Sequence, residues 1–305
     1  PGFADACAVG AYSYLDETFH FATAPVLTLT AQNASGSTTQ NYTTDGFFKL
    51  DSTLAGRTAT DDLARAIAQD LGGGASATDT AAGTGVFKLS LPAGASGDGF
   101  RYLRAAPLAP FTAAIDLSFP AAALKDDDAV CYDANGDGAC DAYTVQNVAG
   151  TTLRYGRLAT DNVLGSELLP LTAPVRAEYF NGRGFVRNDA DVCTAIAAQA
   201  LDLGSGSPDA APAAGETAIA IGAGKSVAAV AHAPLASGLL GLSFSAPGAG
   251  NVGELDYRVD LGLAMRPWLR FDWNGDGTPE DPTGRASFGL YAGPRSLVYQ
   301  RDTWR

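Results

Sequence analysis

Apolar and polar residues alternate along this chain in short bursts separated by Gly, Asn, Ser and Pro, and that periodicity predicts strands. Residues 12–30 alternate first, with Phe19 and Phe21 set between Thr18, His20 and Ala22, and Val26–Thr30 continuing in β-branched residues. A polar turn follows at Asn33–Thr39, then a strand at Gly46–Leu50. Leu63, Ile67 and Leu71 recur at helical spacing, with Thr60 or Asp61 to cap the start and Gly72 to end it, so a helix is expected over Asp61–Leu71. Gly72–Gly85 reads as an exposed loop. Further strands are expected at 86–91, 111–119, 152–155, 175–180, 219–221, 239–244 and 255–261. A long surface loop is expected at 204–216, and a closing hairpin of 286–291 with 297–299 around Gly293-Pro294. Many short strands with turn signals between them predict a mostly β chain of two β-sandwich-like domains, 1–150 and 151–305, with long loops and at most one or two short helices.

Two acidic segments interrupt this pattern. One runs Asp133, Ala134, Asn135, Gly136, Asp137, Gly138, Ala139, Cys140, Asp141; the other runs Asp272, Trp273, Asn274, Gly275, Asp276, Gly277, Thr278, Pro279, Glu280, Asp281. Both fit the D-x-N-x-D-G opening of a calcium loop, in which a curled backbone converges side-chain oxygens on one point. The first would offer Asp133, Asn135, Asp137, the Ala139 carbonyl and Asp141; the second would offer Asp272, Asn274, Asp276, the Thr278 carbonyl, Glu280 and Asp281. The twelfth position, a bidentate Glu in an EF-hand, is Thr144 in one and Thr283 in the other, so a last carboxylate must come from elsewhere; Asp126–Asp128 is the nearest source for the first loop. The alternative is a pair of Asx-rich turns whose side chains satisfy local backbone amides.

The composition narrows the setting. The 305 residues are 46% hydrophobic and only 17% charged, with 36 Gly and a formal charge of −13. Such a surface repels polyanions, which argues against nucleic acid and anionic membrane as partners, and no apolar run is long enough for a membrane span. A solvated acidic surface accounts for part of the charge. Of the four cysteines, Cys131 and Cys140 bracket the first acidic loop and are expected to pair, leaving Cys7 and Cys193 for a second bridge. Disulfides imply an oxidising compartment; four buried free thiols are the alternative. A start at Pro1 fits a mature form or a piece of a longer protein.

Catalytic signals are weak. Gly222–Ser226 lacks the leading Gly of a phosphate loop, since that position is Ile219. His20 and His232 stand far apart, and no nucleophile–base motif occurs. A glycosidase needs only two carboxylates, and nothing singles out a pair. Trp268, Trp273 and Trp304 are candidates for a sugar-stacking surface, with structural packing the alternative for all three; Trp268 reads as core, and Trp273, inside a loop, is the better candidate for a surface role.

Several blocks carry a family resemblance. They are Arg154–Leu158 with Asp161, Asn162 and Gly165–Leu168; Arg176–Tyr179 with Asn181 and Gly182; Cys193 with Thr194; Ser245–Gly253; Pro267–Gly277; and Gly284–Gly289. Near the start, Phe21–Leu27 and Thr30–Asn33 fit as well. In this order they resemble the large C-terminal region of MshQ-like proteins, which are encoded with the machinery of the mannose-sensitive haemagglutinin type IV pilus. Pro279 departs from the acidic run of that family and leaves the ligand set of the second loop open. The resemblance implies an extracellular or cell-surface protein of a Gram-negative bacterium, associated with a type IV pilus, and carries over no established activity; with no nucleophile–base motif in the chain, a non-enzymatic, adhesive role is expected. Its partners would be pilus components or a host or environmental surface ligand, a glycan among them. A structural subunit of a surface fibre and a carbohydrate-binding or carbohydrate-processing protein are the alternatives.

Overall fold

The computed structural model describes residues 1–44, 47–79, 84–205 and 216–289. These form strands joined by loops and three short 3-10 turns, with no α-helix among the described residues. The chain divides into two compact units. The first holds Pro1–Tyr155 and Phe180–Gly184; the second holds Gly156–Tyr179 and the described residues from Phe185 on.

The strands of the first unit are β1 (Gly2–Phe3), β2 (Ser13–Tyr14), β3 (Phe19–Thr23), β4 (Val26–Thr30), β5 (Thr58–Asp61), β6 (Ile67–Asp70), β7 (Ser76–Asp79), β8 (Val86–Ser90), β9 (Gly99–Tyr102), β10 (Phe111–Phe119) and β11 (Tyr143–Arg154). They form sheets in the orders β1-β3-β9-β6, β2-β11-β10-β5 and β4-β8-β7. Strand alternation fills the core. Ala113, Ile115, Leu117 and Phe119 of β10 are buried from one sheet, and Phe19, Phe21, Phe100 and Tyr102 from another. Phe3, Phe21 and Phe100 meet with ring centroids 5.0–5.2 Å apart, and Tyr102 meets Phe111 of the other sheet edge to face at 5.2 Å.

The second unit contains β12 (Gly156–Ala159), β13 (Val163–Gly165), β14 (Leu171–Ala173), β15 (Arg176–Phe180), β16 (Phe185–Arg187), β17 (Leu201–Ser205), β18 (Ala218–Ile221), β19 (Gly224–Val230), β20 (Leu242–Phe244), β21 (Gly253–Val259) and β22 (Thr283–Phe288). Its sheets run β12-β15-β16, β13-β22-β21-β17 and β14-β20-β19-β18. Leu255, Tyr257, Val259, Ala286 and Phe288 face inward, and Phe244 packs on Tyr257 at 5.1 Å between sheets.

Each unit repeats one plan. A short strand runs parallel to the last strand, β2 beside β11 and β13 beside β22. The last strand pairs antiparallel with the penultimate one, which carries a fourth, β5 or β17, on its far side. In the opposed sheet β3-β9-β6 corresponds to β14-β20-β19. This is the strand order of an immunoglobulin-like Greek-key sandwich. The sequence shows no internal repeat beyond the two acidic loops, because the echo lies in pairing topology rather than in residue period.

Three local expectations fail. No helix forms over 61–71. Asp61 instead accepts the backbone N–H of Leu63 at 2.9 Å and of Arg65 at 3.1 Å in an Asx turn, and β6 follows. Leu63 is 69% exposed, so the helical spacing marks no buried face. The described part of 46–50 is not a strand; Leu50 makes one isolated bridge to Asp126. The expected loop 72–85 contains β7, paired antiparallel with β8. The 206–215 part of the expected long loop, residues 290 and 291, the 297–299 hairpin arm and Trp304 lie outside the described residues.

Candidate metal-binding loops

The two acidic loops occupy corresponding turns. The first joins β10 to β11 and the second joins β21 to β22, the last hairpin of each unit. Glycine sets their curl: Gly136 and Gly138 have φ of 75° and 86°, and Gly275 and Gly277 have 79° and 88°, a left-handed backbone that costs other residues strain.

The hydrogen bonds of the D-x-N-x-D-G segment recur in both loops. Asp133 Oδ1 accepts Gly136 N–H at 2.7 Å and Oδ2 accepts Gly138 N–H at 2.8 Å. Asp272 accepts Gly275 and Gly277 N–H at the same two distances. Asn135 Oδ1 accepts Asp137 N–H and Asn274 Oδ1 accepts Asp276 N–H, both at 2.9 Å. Asp137 then accepts Ala139 N–H at 2.8 Å, and Asp276 accepts Thr278 N–H at 2.7 Å. Each Asn donates its side-chain amide to the following Asp at 3.1 Å. The Gly138 N–H, ahead of other amides, holds Asp133 ionised below the usual carboxylate range, and the Thr278 N–H does the same for Asp276.

The bases of the loops are closed alike and then locked differently. Asp141 N–H donates to the Tyr132 carbonyl at 2.8 Å, and Glu280 N–H donates to the Phe271 carbonyl at 2.9 Å. Below the first, Cys131 and Cys140 are disulfide-bonded, with Cα atoms 5.5 Å apart. Below the second, Arg270 takes the place of Cys131 and pairs with Asp281 at 2.7 Å. Cys7 in the first unit and Cys193 in the second are each oxidised as disulfide cysteines, and no cysteine is free.

The structure therefore brings Asp133, Asn135, Asp137 and Asp141 into one loop, Asp141 accepting Ala134 N–H at 2.8 Å. It brings Asp272, Asn274, Asp276 and Glu280 into the other, Glu280 meeting the Asn274 amide at 3.2 Å. Asp281 faces away, onto Arg270 and the Leu261 N–H. Asp126 is buried against the N–H groups of Asp128 and Val130 and the Tyr42 hydroxyl, which spends its oxygens away from the first loop. Burial of the Tyr42 hydroxyl itself, with its bond to Asp126, pushes it well above the usual phenol range. Among the described residues no three His, Cys, Asp or Glu side chains form a metal cage. The side chains of each loop supply three carboxylates and an Asn oxygen, hard oxygens that suit calcium chemically.

Sequence reasoning missed what surrounds the second loop. The Arg157 guanidinium lies over Phe185 at 3.7 Å and over Phe271 and Trp273 at 4.8 Å each, and pairs with Glu178 at 2.8 Å. Trp273 in the acidic motif was the only signal for it.

Family models match both units. DUF6701, third domain, covers residues 1–147, and DUF6701, fourth domain, covers residues 154–303. No curated protein and no solved structure matches the chain. The two matches together span nearly the whole sequence, and the chain belongs to the DUF6701 family.

Proposed function

We propose that this tandem of DUF6701 domains is a non-enzymatic, extracellular binding module, presented at a bacterial surface with an adhesive role. Each domain would hold a calcium ion in the loop of its last hairpin. The observation that carries the reading is the recurrence of one hydrogen-bonded D-x-N-x-D-G loop at the same turn of two sandwiches. A lone acidic turn is commonplace; the same one kept at the same place in two units that otherwise differ implies a shared task. The disulfide-bonded cysteines suit an oxidising compartment. Asp133, Asn135 and Asp137 would hold one ion, with Asp272, Asn274 and Asp276 holding the other. A bound cation would neutralise the clustered carboxylates and tie each loop to the folded state. Association with a type IV pilus rests on the sequence blocks that resemble MshQ-like proteins. Deleting the region in its source organism tests the role: attachment or pilus function should fall while growth is unchanged, and unaltered attachment would refute it.

A further inference from the structure

We infer that Asn181 is a site of spontaneous deamidation, selected over two other Asn-Gly pairs by the hydrogen bonds of its turn. The chain has three such pairs, Asn135-Gly136, Asn181-Gly182 and Asn274-Gly275. In each, the glycine nitrogen can attack the preceding side-chain amide, because no Cβ crowds its approach. The intrinsic chemistry of the three is the same, so their surroundings decide which reacts.

Asn181 and Gly182 are exposed in the turn between β15 and β16. Asn181 Oδ1 accepts the backbone N–H groups of Arg183 at 3.0 Å and of Gly184 at 3.1 Å. Two donors on one amide oxygen polarise its carbonyl and stabilise the negative charge it gains on attack, as an oxyanion hole does. The Gly182 N–H makes no hydrogen bond among the described residues and is open to base from solvent. Its nitrogen loses that proton to hydroxide and bonds to Asn181 Cγ, while the carbonyl electron pair moves onto Oδ1. Collapse breaks the Cγ–Nδ2 bond, and ammonia leaves with a proton from water. Water then opens the succinimide at either carbonyl, giving Asp or isoaspartate. The net reaction consumes one water, releases one ammonia and needs no oxidant or cofactor. The turn gains a negative charge. The isoaspartate branch also adds a carbon to the backbone of a turn that Asn181 N–H closes on the Gly184 carbonyl at 3.0 Å.

In the acidic loops the same nitrogen is occupied. Gly136 N–H donates to Asp133 and Gly275 N–H to Asp272, both at 2.7 Å. A carboxylate is far too weak a base to take an amide proton, so these bonds hold the proton on nitrogen and shield it from solvent. Asn135 Oδ1 and Asn274 Oδ1 each accept one amide rather than two, and each side-chain amide is tied to the Asp that follows.

The test is peptide mapping by mass spectrometry of the whole chain, held at body temperature in mildly alkaline buffer with EDTA, so that calcium plays no part. Asn181 should convert at least about tenfold faster than Asn135 or Asn274, a modest difference in barrier, yielding both Asp and isoaspartate. In denaturant the three rates should converge. Asp133→Ala, with its fold checked by circular dichroism, should speed conversion at Asn135 and leave Asn181 unchanged. No conversion at Asn181, equal rates in the folded chain or a loop Asn reacting first would overturn the inference. So would a ranking that persists in denaturant, or an Asn135 rate unmoved by Asp133→Ala, since the hydrogen bonds would then not be what selects the site.

Discussion

Removing the Arg57 guanidinium should destabilise the first unit by about 3–5 kcal/mol, the usual cost of leaving a buried charge without its partner. Arg57 and Asp98 immediately precede β5 and β9, which lie in different sheets, so their pairing clamps the sandwich across its core. Their side chains are 2% and 0% exposed. Arg57 Nε and Nη2 donate to the Asp98 carboxylate at 3.1 and 2.5 Å, Nη1 to the Thr53 carbonyl at 2.6 Å, and Nη2 to the Gly73 carbonyl at 2.6 Å. Arg57→Met keeps the apolar stem but leaves Asp98 with the Gly73 N–H at 3.3 Å as its remaining side-chain partner. For a unit of this size the loss corresponds to a fall in Tm on the order of 10 °C. Chemical unfolding followed by circular dichroism measures it, and the double variant Arg57→Met with Asp98→Leu should recover most of the stability, since the stranded charge is gone. A single variant that loses less than about 1 kcal/mol would refute the clamp and place the pair among weak surface ion pairs.

Other outcomes follow from the same geometry. With a Kd near 10⁻⁴ M, common for extracellular modules, millimolar calcium should add about 1.4 kcal/mol per loop; thermal shift should register it, chelator should remove it, and Asp133→Ala or Asp272→Ala should each remove part. Replacing both Cys131 and Cys140 with Ser should cost roughly 2–3 kcal/mol by loop entropy, seen as an earlier unfolding transition, whereas an unchanged midpoint would mean the bridge only decorates a loop already fixed by its hydrogen bonds. Tyr102→Phe should destabilise the first unit by about 1–3 kcal/mol, because Tyr102 donates to the buried Asp61 carboxylate at 2.7 Å. Burial acts to raise the pKa of Asp61, but the bonds from Tyr102 and from the Arg65 and Leu63 amides, with the Arg65 charge, hold it below its ordinary value. Its stabilising contribution is therefore full above about pH 3.9, the unfolded value, and is lost as pH falls through the lower folded value; acid titration of Tyr102→Phe should show a smaller loss over that window than the parent chain.

The acidic loops were legible because their chemistry is local: six consecutive residues determine both the glycine curl and the side-chain caps. Long alternating strands such as Phe111–Phe119 were legible for the same reason, since every second residue is buried. The helix expected at 61–71 failed because spacing alone does not show which face is buried, and Asp61 is drawn into a turn by Tyr102, a residue from a distant strand. The sandwich order depends on parallel edge strands of two or three residues, β2 and β13, too short to leave any periodicity. Arg157 over Trp273 joins the start of the second unit to its last hairpin, a pairing that no local pattern encodes.

Isothermal titration of calcium into the disulfide-intact chain tests the central claim most directly. The account predicts two sites, one after Asp133→Ala or Asp272→Ala, and none when both are replaced. Absence of any saturable heat at millimolar calcium, with no calcium-dependent change in unfolding, would contradict it and leave the two loops as self-satisfied Asx turns.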